Sequence, residues 1–201
     1  MNQLRWKFLR TGLKSEYGGF KWKKGQWETC NETLNICHVG FHCSKGIYQA
    51  FSYVQGELLA EVEVKGKHLT GTDKECWEKM RIVRVYRWKK IDSVLFAIYA
   101  ARLVLKLYED KYPNDDRPRK AIEAAENYAK YPTAKNRVTA NAANYANATN
   151  YAAYSAYYTA NAANYAANSA NYAANAAAKQ SIYKKLDKWM LDHLKELEEV
   201  K

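Results

Sequence analysis

The residue types most often used for chemistry, cysteine and histidine, gather early in the chain as Cys30, Cys37, His38, His42, Cys43 and Cys76. Thiolates and imidazoles together are what a zinc ion selects. Their spacing does not suit one. There is no C-x2-C pair, and Cys37-His38 and His42-Cys43 are chain neighbours, which a strand points to opposite faces. Small buried cysteines in strands account for the same residues. Cys37 or Cys43 could act as a nucleophile served by His38, His42 or His68, yet nothing singles out a third group to orient the base. No phosphate-cradling glycine loop, G-x-S-x-G elbow or H-E-x-x-H helix occurs. Asp115-Asp116 stands just before Arg117-Pro118, where acids cap a helix and pair with Arg117 or Arg119 rather than hold Mg2+. The expectation is a protein that is not an enzyme, with no catalytic, metal or cofactor site.

Cations carry the second kind of chemistry. The chain of 201 residues has a formal charge of +11, which favours an acidic partner. Lys and Arg cluster from Arg5 to Lys24 (with Lys7, Arg10, Lys14, Lys21 and Lys23) and again from Lys79 to Lys90. Both runs carry Trp or Tyr between the charges. That interleaving suits single-stranded nucleic acid, because cations meet phosphates while rings stack on bases. On this alternative reading Lys21, Trp22, Lys23, Lys24, Arg84, Arg87 and Lys89 are the contact residues. The plainer reading puts the same cations on the solvent face of strands whose aromatics face a core.

The elements that must position these groups divide the chain near residue 92. Leu58 to Val64 is the clearest strand, stopped by Gly66, and Arg81 to Tyr86 is the second. Ile47, Ala50, Phe51 and Val54 fall at helical spacing between a Ser44 cap and Gly56, linking a strand at Val39–His42 to the one at Leu58. The opening segment, with Gly12, Gly18, Gly19 and Gly25, reads as one or two hairpins. From Asp92 the period changes to about 3.6. Val94, Ile98, Ala101, Leu105 and Tyr108 form a stripe capped by Asp92-Ser93 and ending before Pro113, and a second helix runs from Arg119 to about Tyr131. Ser181 to Lys201 reads as an amphipathic helix with Ile182, Leu186, Trp189, Met190, Leu194 and Leu197 inward.

Residues 151–178 parse into four consecutive sevens, YAAYSAY, YTANAAN, YAANSAN and YAANAAA. Tyr151, Tyr158, Tyr165 and Tyr172 share one stripe, and Asn161, Asn168 and Asn175 recur three positions after a tyrosine. Alanine on most other positions lets backbones approach closely, and Asn at a buried seam is retained for register or partner choice. Tyr151, Tyr158, Tyr165, Tyr172, Asn161 and Asn168 are therefore the expected partner-binding residues. The expected fold class is α+β: a small mixed β-rich domain with one short helix over 1–92, then an all-helical Ala/Tyr/Asn-rich bundle over 93–201. The run Val94–Leu107 holds Arg102 and Lys106 and is too short to span a bilayer. The first residues lack a secretory apolar stretch, so a cytoplasmic, reducing compartment is expected.

Two stretches resemble known families. Val39-Gly40-Phe41-His42-Cys43-Ser44, Ala50-Phe51-Ser52-Tyr53 and Leu59 to Gly66 resemble a small domain of many phage and prophage proteins of unassigned function, with its GFH turn, short helix and E-V-x-x-x-G strand. Tyr112 to Ala125, with its D-D-R-P-R-K-A-I-E-A run and the Ala-rich repeats after it, is similar to a helical family of immunity proteins from polymorphic toxin systems. The resemblance implies an inhibitor or interaction protein whose target is a toxin or a bacterial defence component, acting in the host cytoplasm. The Tyr/Asn heptad departs from that family's more varied Ala-rich stretch. The turn-helix-strand unit also resembles part of an ADP-ribosyltransferase fold, for which Glu61 or Glu63 would have to serve as the catalytic acid. The leading expectation is a non-catalytic protein that binds and inhibits another protein, with nucleic-acid binding as the alternative, a degenerate enzyme third, and self-association through the helical half left open.

Overall fold

Alternation along the sequence becomes one antiparallel sheet in the computed structural model, which describes residues 3–54, 56–145 and 172–200, with side chains for these except 141–145 and 172–179. The strands are β1 (Gln3–Leu9), β2 (Glu28–Thr29), β3 (Phe41–Cys43), β4 (Leu58–Thr70) and β5 (Glu75–Arg87), with α1 (Ile47–Tyr53) between β3 and β4. The order is β1-β4-β5-β2, and β3 also pairs with β5. Leu58, Ala60, Val62 and Val64 enter one core cluster with Trp22, Trp77, Met80, Ile82 and Val85. On β4 the residue between the first two of these, Leu59, is equally buried. Both faces of the central strands are therefore covered. Phe8, Phe51 and Trp88 meet at centroid distances of 5.3 to 5.6 Å, two of the three pairs edge to face. Such pairs add about 0.5–1.5 kcal/mol each beyond the area they bury.

Two expectations about boundaries change. Gly66 does not end the strand: β4 continues to Thr70, and Gly66 takes φ +88° where the register shifts between Lys65 and His68. A glycine tolerates that left-handed conformation, so the ladder bulges instead of stopping. Ser44 does not cap α1 either. Its backbone pairs with Trp6 in both directions at 2.9 Å, and the helix begins after Gly46. Glycine brings no capping oxygen, and the Asp187 carboxylate supplies one, accepting the Tyr48 N–H at 2.8 Å from 139 positions away.

The chain divides into two units, Met1–Lys89 with Asp187–Lys201, and Lys90–Leu186. The sequence division placed everything after residue 92 in one helical domain, whereas the last fifteen residues group with the sheet. The reason is backbone pairing. Helix α5 (Tyr172–His193) gives way to a 3-10 turn at Leu194–Glu196, after which Val200 N donates to Val85 O at 2.8 Å and Arg87 N to Glu198 O at 2.9 Å. The helix expected from Ser181 to Lys201 therefore ends early: Leu194 and Leu197 are half-buried as expected, but lie beyond α5, in and just after the 3-10 turn.

The second unit holds α2 (Lys90–Lys111), α3 (Arg117–Lys130) and α4 (Ala134–Tyr145). Ala101, Leu105 and Ile122 form its core cluster, with Ile98 against it. Pro118 sits in the first turn of α3, where its missing N–H costs nothing. Thr133 Oγ1 accepts the Asn136 N–H at 3.2 Å and so caps α4. Helices thus follow the sheet, as expected. The 151–171 part of the Tyr/Asn repeat, with Tyr151, Tyr158, Tyr165, Asn161 and Asn168, lies outside the described residues. Tyr172 opens α5, its side chain outside them too. No described helix is long and apolar enough to cross a membrane.

Candidate functional site

The GFH turn shapes a cleft in the sheet unit. Asn35 and Val39 exchange backbone hydrogen bonds at 3.0 and 2.8 Å, Cys37 inside that loop takes φ +74°, and Gly40 takes φ +110°. A Cβ at Gly40 would stand 2.5 Å from Cys76 Sγ and 2.8 Å from Leu34 Cδ2, so only glycine fits. The turn delivers His42 on β3 opposite Lys7 on β1. Lys7 Nζ donates to His42 O at 2.8 Å, and His42 Nε2 accepts the Cys37 N–H at 2.9 Å. That bond fixes the neutral ring with its proton on Nδ1. Burial, then the Lys7 and Lys74 charges, push the His42 pKa down, keeping it neutral at physiological pH.

The resulting cleft has a volume of about 570 Å3, and its walls include Lys7, Phe20, Phe41, His42, Tyr53 and Lys74. Phe20, Trp22 and Phe41 pack on one another at 4.9 to 5.8 Å, forming an aromatic wall. Opposite chemistry comes from Tyr53, whose hydroxyl donates to Asp73 and whose ring carries Lys74 Nζ at 4.3 Å. Burial pushes the Lys7 pKa down.

Two of the four cysteines are buried in the sheet unit. Cys43 is buried and its thiol is pushed up to about 12 by burial, so it stays protonated. Cys76 is buried as well, its Sγ donating to Val39 O at 3.0 Å, with a thiol pushed up to about 11 by burial. Cys37 is exposed and Cys30 partly so. Among the described residues no three His, Cys, Asp or Glu side chains gather as metal ligands. Glu61 and Glu63, the residues an ADP-ribosyltransferase likeness would need, form ion pairs with Arg84 at 3.5 Å and Arg81 at 2.7 Å and do not line the cleft.

The residues expected to meet nucleic acid differ in their surroundings, and three of them, Lys24, Arg84 and Arg87, gather at the C-terminal segment 198–200. Trp22 is corrected outright: it is 2% exposed, its Nε1 donating to Ser15 Oγ at 2.9 Å, so it belongs to the core and cannot stack on a base. Lys21 and Lys23 are exposed. Lys24 donates to Val200 O at 3.0 Å and lies 3.7 Å from Glu199. Arg84 and Arg87 are exposed but face Glu61 and Glu198, the latter at 3.3 Å, and Lys89 is exposed. Lys7 stood in the first basic run as one cation among seven. Its place in the cleft wall, which sets it apart from the other six, comes from long-range packing and has no local signal.

Residues 4–93 match a family model described as a domain of unknown function (DUF7666). Every residue lining the cleft falls inside that segment. No curated protein and no solved structure matches the chain.

Proposed function

We propose that this is a non-catalytic interaction protein that binds and inhibits a partner protein, the helical unit supplying the contact surface. The observation that carries the reading is a set of large apolar side chains left exposed on this unit. Leu107, Tyr112, Tyr131 and Val138 are 46 to 64% exposed. Several cations of the same unit are matched by carboxylates: Arg102 with Glu126 at 2.7 Å, Arg119 with Glu109 at 2.7 Å, Arg117 with Asp115 at 2.6 Å and Lys120 with Asp116 at 2.8 Å. Cations already matched by carboxylates attract phosphate weakly, while exposed tyrosines are favoured at protein interfaces. The structural use of Cys43 and His42 in the sheet unit supports the non-catalytic part. The likeness of Tyr112 to Ala125 to immunity proteins narrows the target to a toxin or a bacterial defence component, met in the cytoplasm of a phage-bearing host. The Tyr/Asn repeat, whose 151–171 part lies outside the described residues, supplies the other residues proposed to meet the partner: Tyr151, Tyr158, Tyr165, Tyr172, Asn161 and Asn168.

Nucleic-acid binding is the second reading, favoured by Lys21 and Lys23, which are exposed and make no ion pair among the described residues. One experiment separates the two. Tagged full-length protein captures partners from host lysate at low and high salt, with and without nuclease, and the captured protein is purified and tested for inhibition. The expected result is a discrete protein that survives high salt and nuclease, loses its activity on binding, and escapes a Tyr112→Ala/Tyr131→Ala variant. Capture of nucleic acid that disappears at high salt and with Lys21→Glu/Lys23→Glu would replace this reading with the second.

A further inference from the structure

The sheet unit contains a cation that its own structure does not neutralise. Lys7 lies half-buried in the cleft wall and uses one ammonium donor on His42 O at 2.8 Å. Among the described residues no carboxylate lies within ion-pair distance of it. The acids nearby are engaged: Glu16 accepts from Arg10, Asp73 accepts from Tyr53, and Glu75 holds Arg5 at 2.6 Å and Lys45 at 3.4 Å. The Trp22 ring is 5.9 Å from Lys7 Nζ, at the outer limit of a cation–π contact. Buried charges are ordinarily paired, because an ion taken from water without a partner is costly. Lys74 is a second cleft cation without a carboxylate among the described residues, and its charge and that of Lys7 both bear on His42. Two cations therefore converge on a space whose neutral histidine adds no charge of its own.

The rest of the cleft is aromatic and open. Phe20 is 41% exposed and packs against Trp22 and Phe41 at 4.9 and 5.8 Å, and Tyr53 is 39% exposed with Lys74 over its ring at 4.3 Å. Ring faces backed by neighbouring rings are stacking platforms for a planar group. A volume of about 570 Å3 lies in the range of small-molecule sites and is too small for a folded partner. From this geometry we infer that the cleft binds a small aromatic phosphate of nucleoside monophosphate size, its phosphate at Lys7 and Lys74 and its planar base against Phe20. The site lies wholly in the sheet unit and does not depend on the proposed protein interface, so either can fail alone.

The test is isothermal titration of the full-length protein with adenosine and uridine 5′-monophosphates, the two nucleosides, inorganic phosphate and O-phosphotyrosine. At least one nucleotide is expected to bind roughly tenfold or more tighter than its nucleoside and than phosphate. Lys7→Met, which keeps the stem and removes the charge, should weaken that binding roughly 10- to 100-fold without lowering the melting temperature. Phe20→Ala, at an exposed position, should weaken it as well and serves if Lys7→Met does not fold. Nucleotides binding no better than phosphate would overturn the inference, as would wild-type affinity in the Phe20→Ala or a folded Lys7→Met protein. Preference for O-phosphotyrosine would overturn the nucleotide assignment in favour of a modified peptide side chain.

Discussion

The two units handle charge in opposite ways. In the sheet unit the decisive ion pair is buried and distant in sequence: Glu75, with a side chain 4% exposed, accepts from Arg5 Nε at 2.6 Å across 70 positions and from Trp77 Nε1 at 2.8 Å. In the helical unit the pairs are more exposed and nearer in sequence, such as Arg102 with Glu126, 24 positions apart at 44 and 38% side-chain exposure, or Lys106 with Asp110 one turn apart. A buried pair is specific and brittle, because removing one member leaves the other uncompensated, whereas exposed pairs are individually worth little. The same contrast holds for shape. A tight glycine turn and interlocked rings fix the sheet unit, while alanines and a few large residues pack the helices.

All six tryptophans fall in residues 1–89 and 187–201, so their fluorescence reports on the sheet unit while far-UV circular dichroism is dominated by helix. That separation allows the contrast to be broken deliberately. The largest effect is expected from Gly40→Val, which forces a branched side chain into φ +110° and against Cys76 and Leu34. It should destabilise the sheet unit by about 3–5 kcal/mol, seen as an earlier tryptophan transition with helical signal retained. Simultaneous loss of both signals would show that the units fold as one.

Glu75→Gln comes next, with an expected loss of about 2–3 kcal/mol at neutral pH. Burial alone would raise the Glu75 pKa, but the bond from Arg5, then that from Trp77, the Arg5 charge and Lys45 hold it below its ordinary value of 4.5. A carboxylate held low contributes stability that is present above the unfolded value and lost as pH falls through the folded one. The wild-type sheet unit should therefore lose stability progressively below pH 4.5, and Glu75→Gln should flatten that dependence in melts followed by tryptophan fluorescence. An unchanged acid slope would assign it to another group. The smallest effect belongs to Arg102→Ala, under about 1 kcal/mol and shrinking with added salt in thermal melts read by circular dichroism.

Sequence pattern went furthest where a face repeats. The alternation at Leu58 to Val64 located β4, the stripe through Ala101 and Leu105 located α2, and Ile47, Ala50 and Phe51 located α1, all buried as their spacing implies. Pattern went wrong where a boundary depended on a partner. Gly66 reads as a stop, but β5 continues alongside it and the ladder bulges through. Ser44 reads as a cap, but β1 claims its backbone. Trp22 reads as a stacking ring between lysines, yet the core it enters is built by β4 and β5. The aromatic and basic character of the cleft was visible in the first basic run, whereas its membership was not: Tyr53 and Lys74 join Lys7 from α1 and from the turn before β5.

By itself the sequence determined the order and type of the main elements, because periodicity records which face of each must leave water. Tertiary structure alone decided which distant groups meet: Asp187 on the open N-terminus of α1, Val200 on Val85, and Lys7 in a cleft where, among the described residues, no carboxylate pairs with it. Burial is a property of the assembled chain. A lysine on a strand carries the same local signal whether it faces solvent or a wall of aromatic rings.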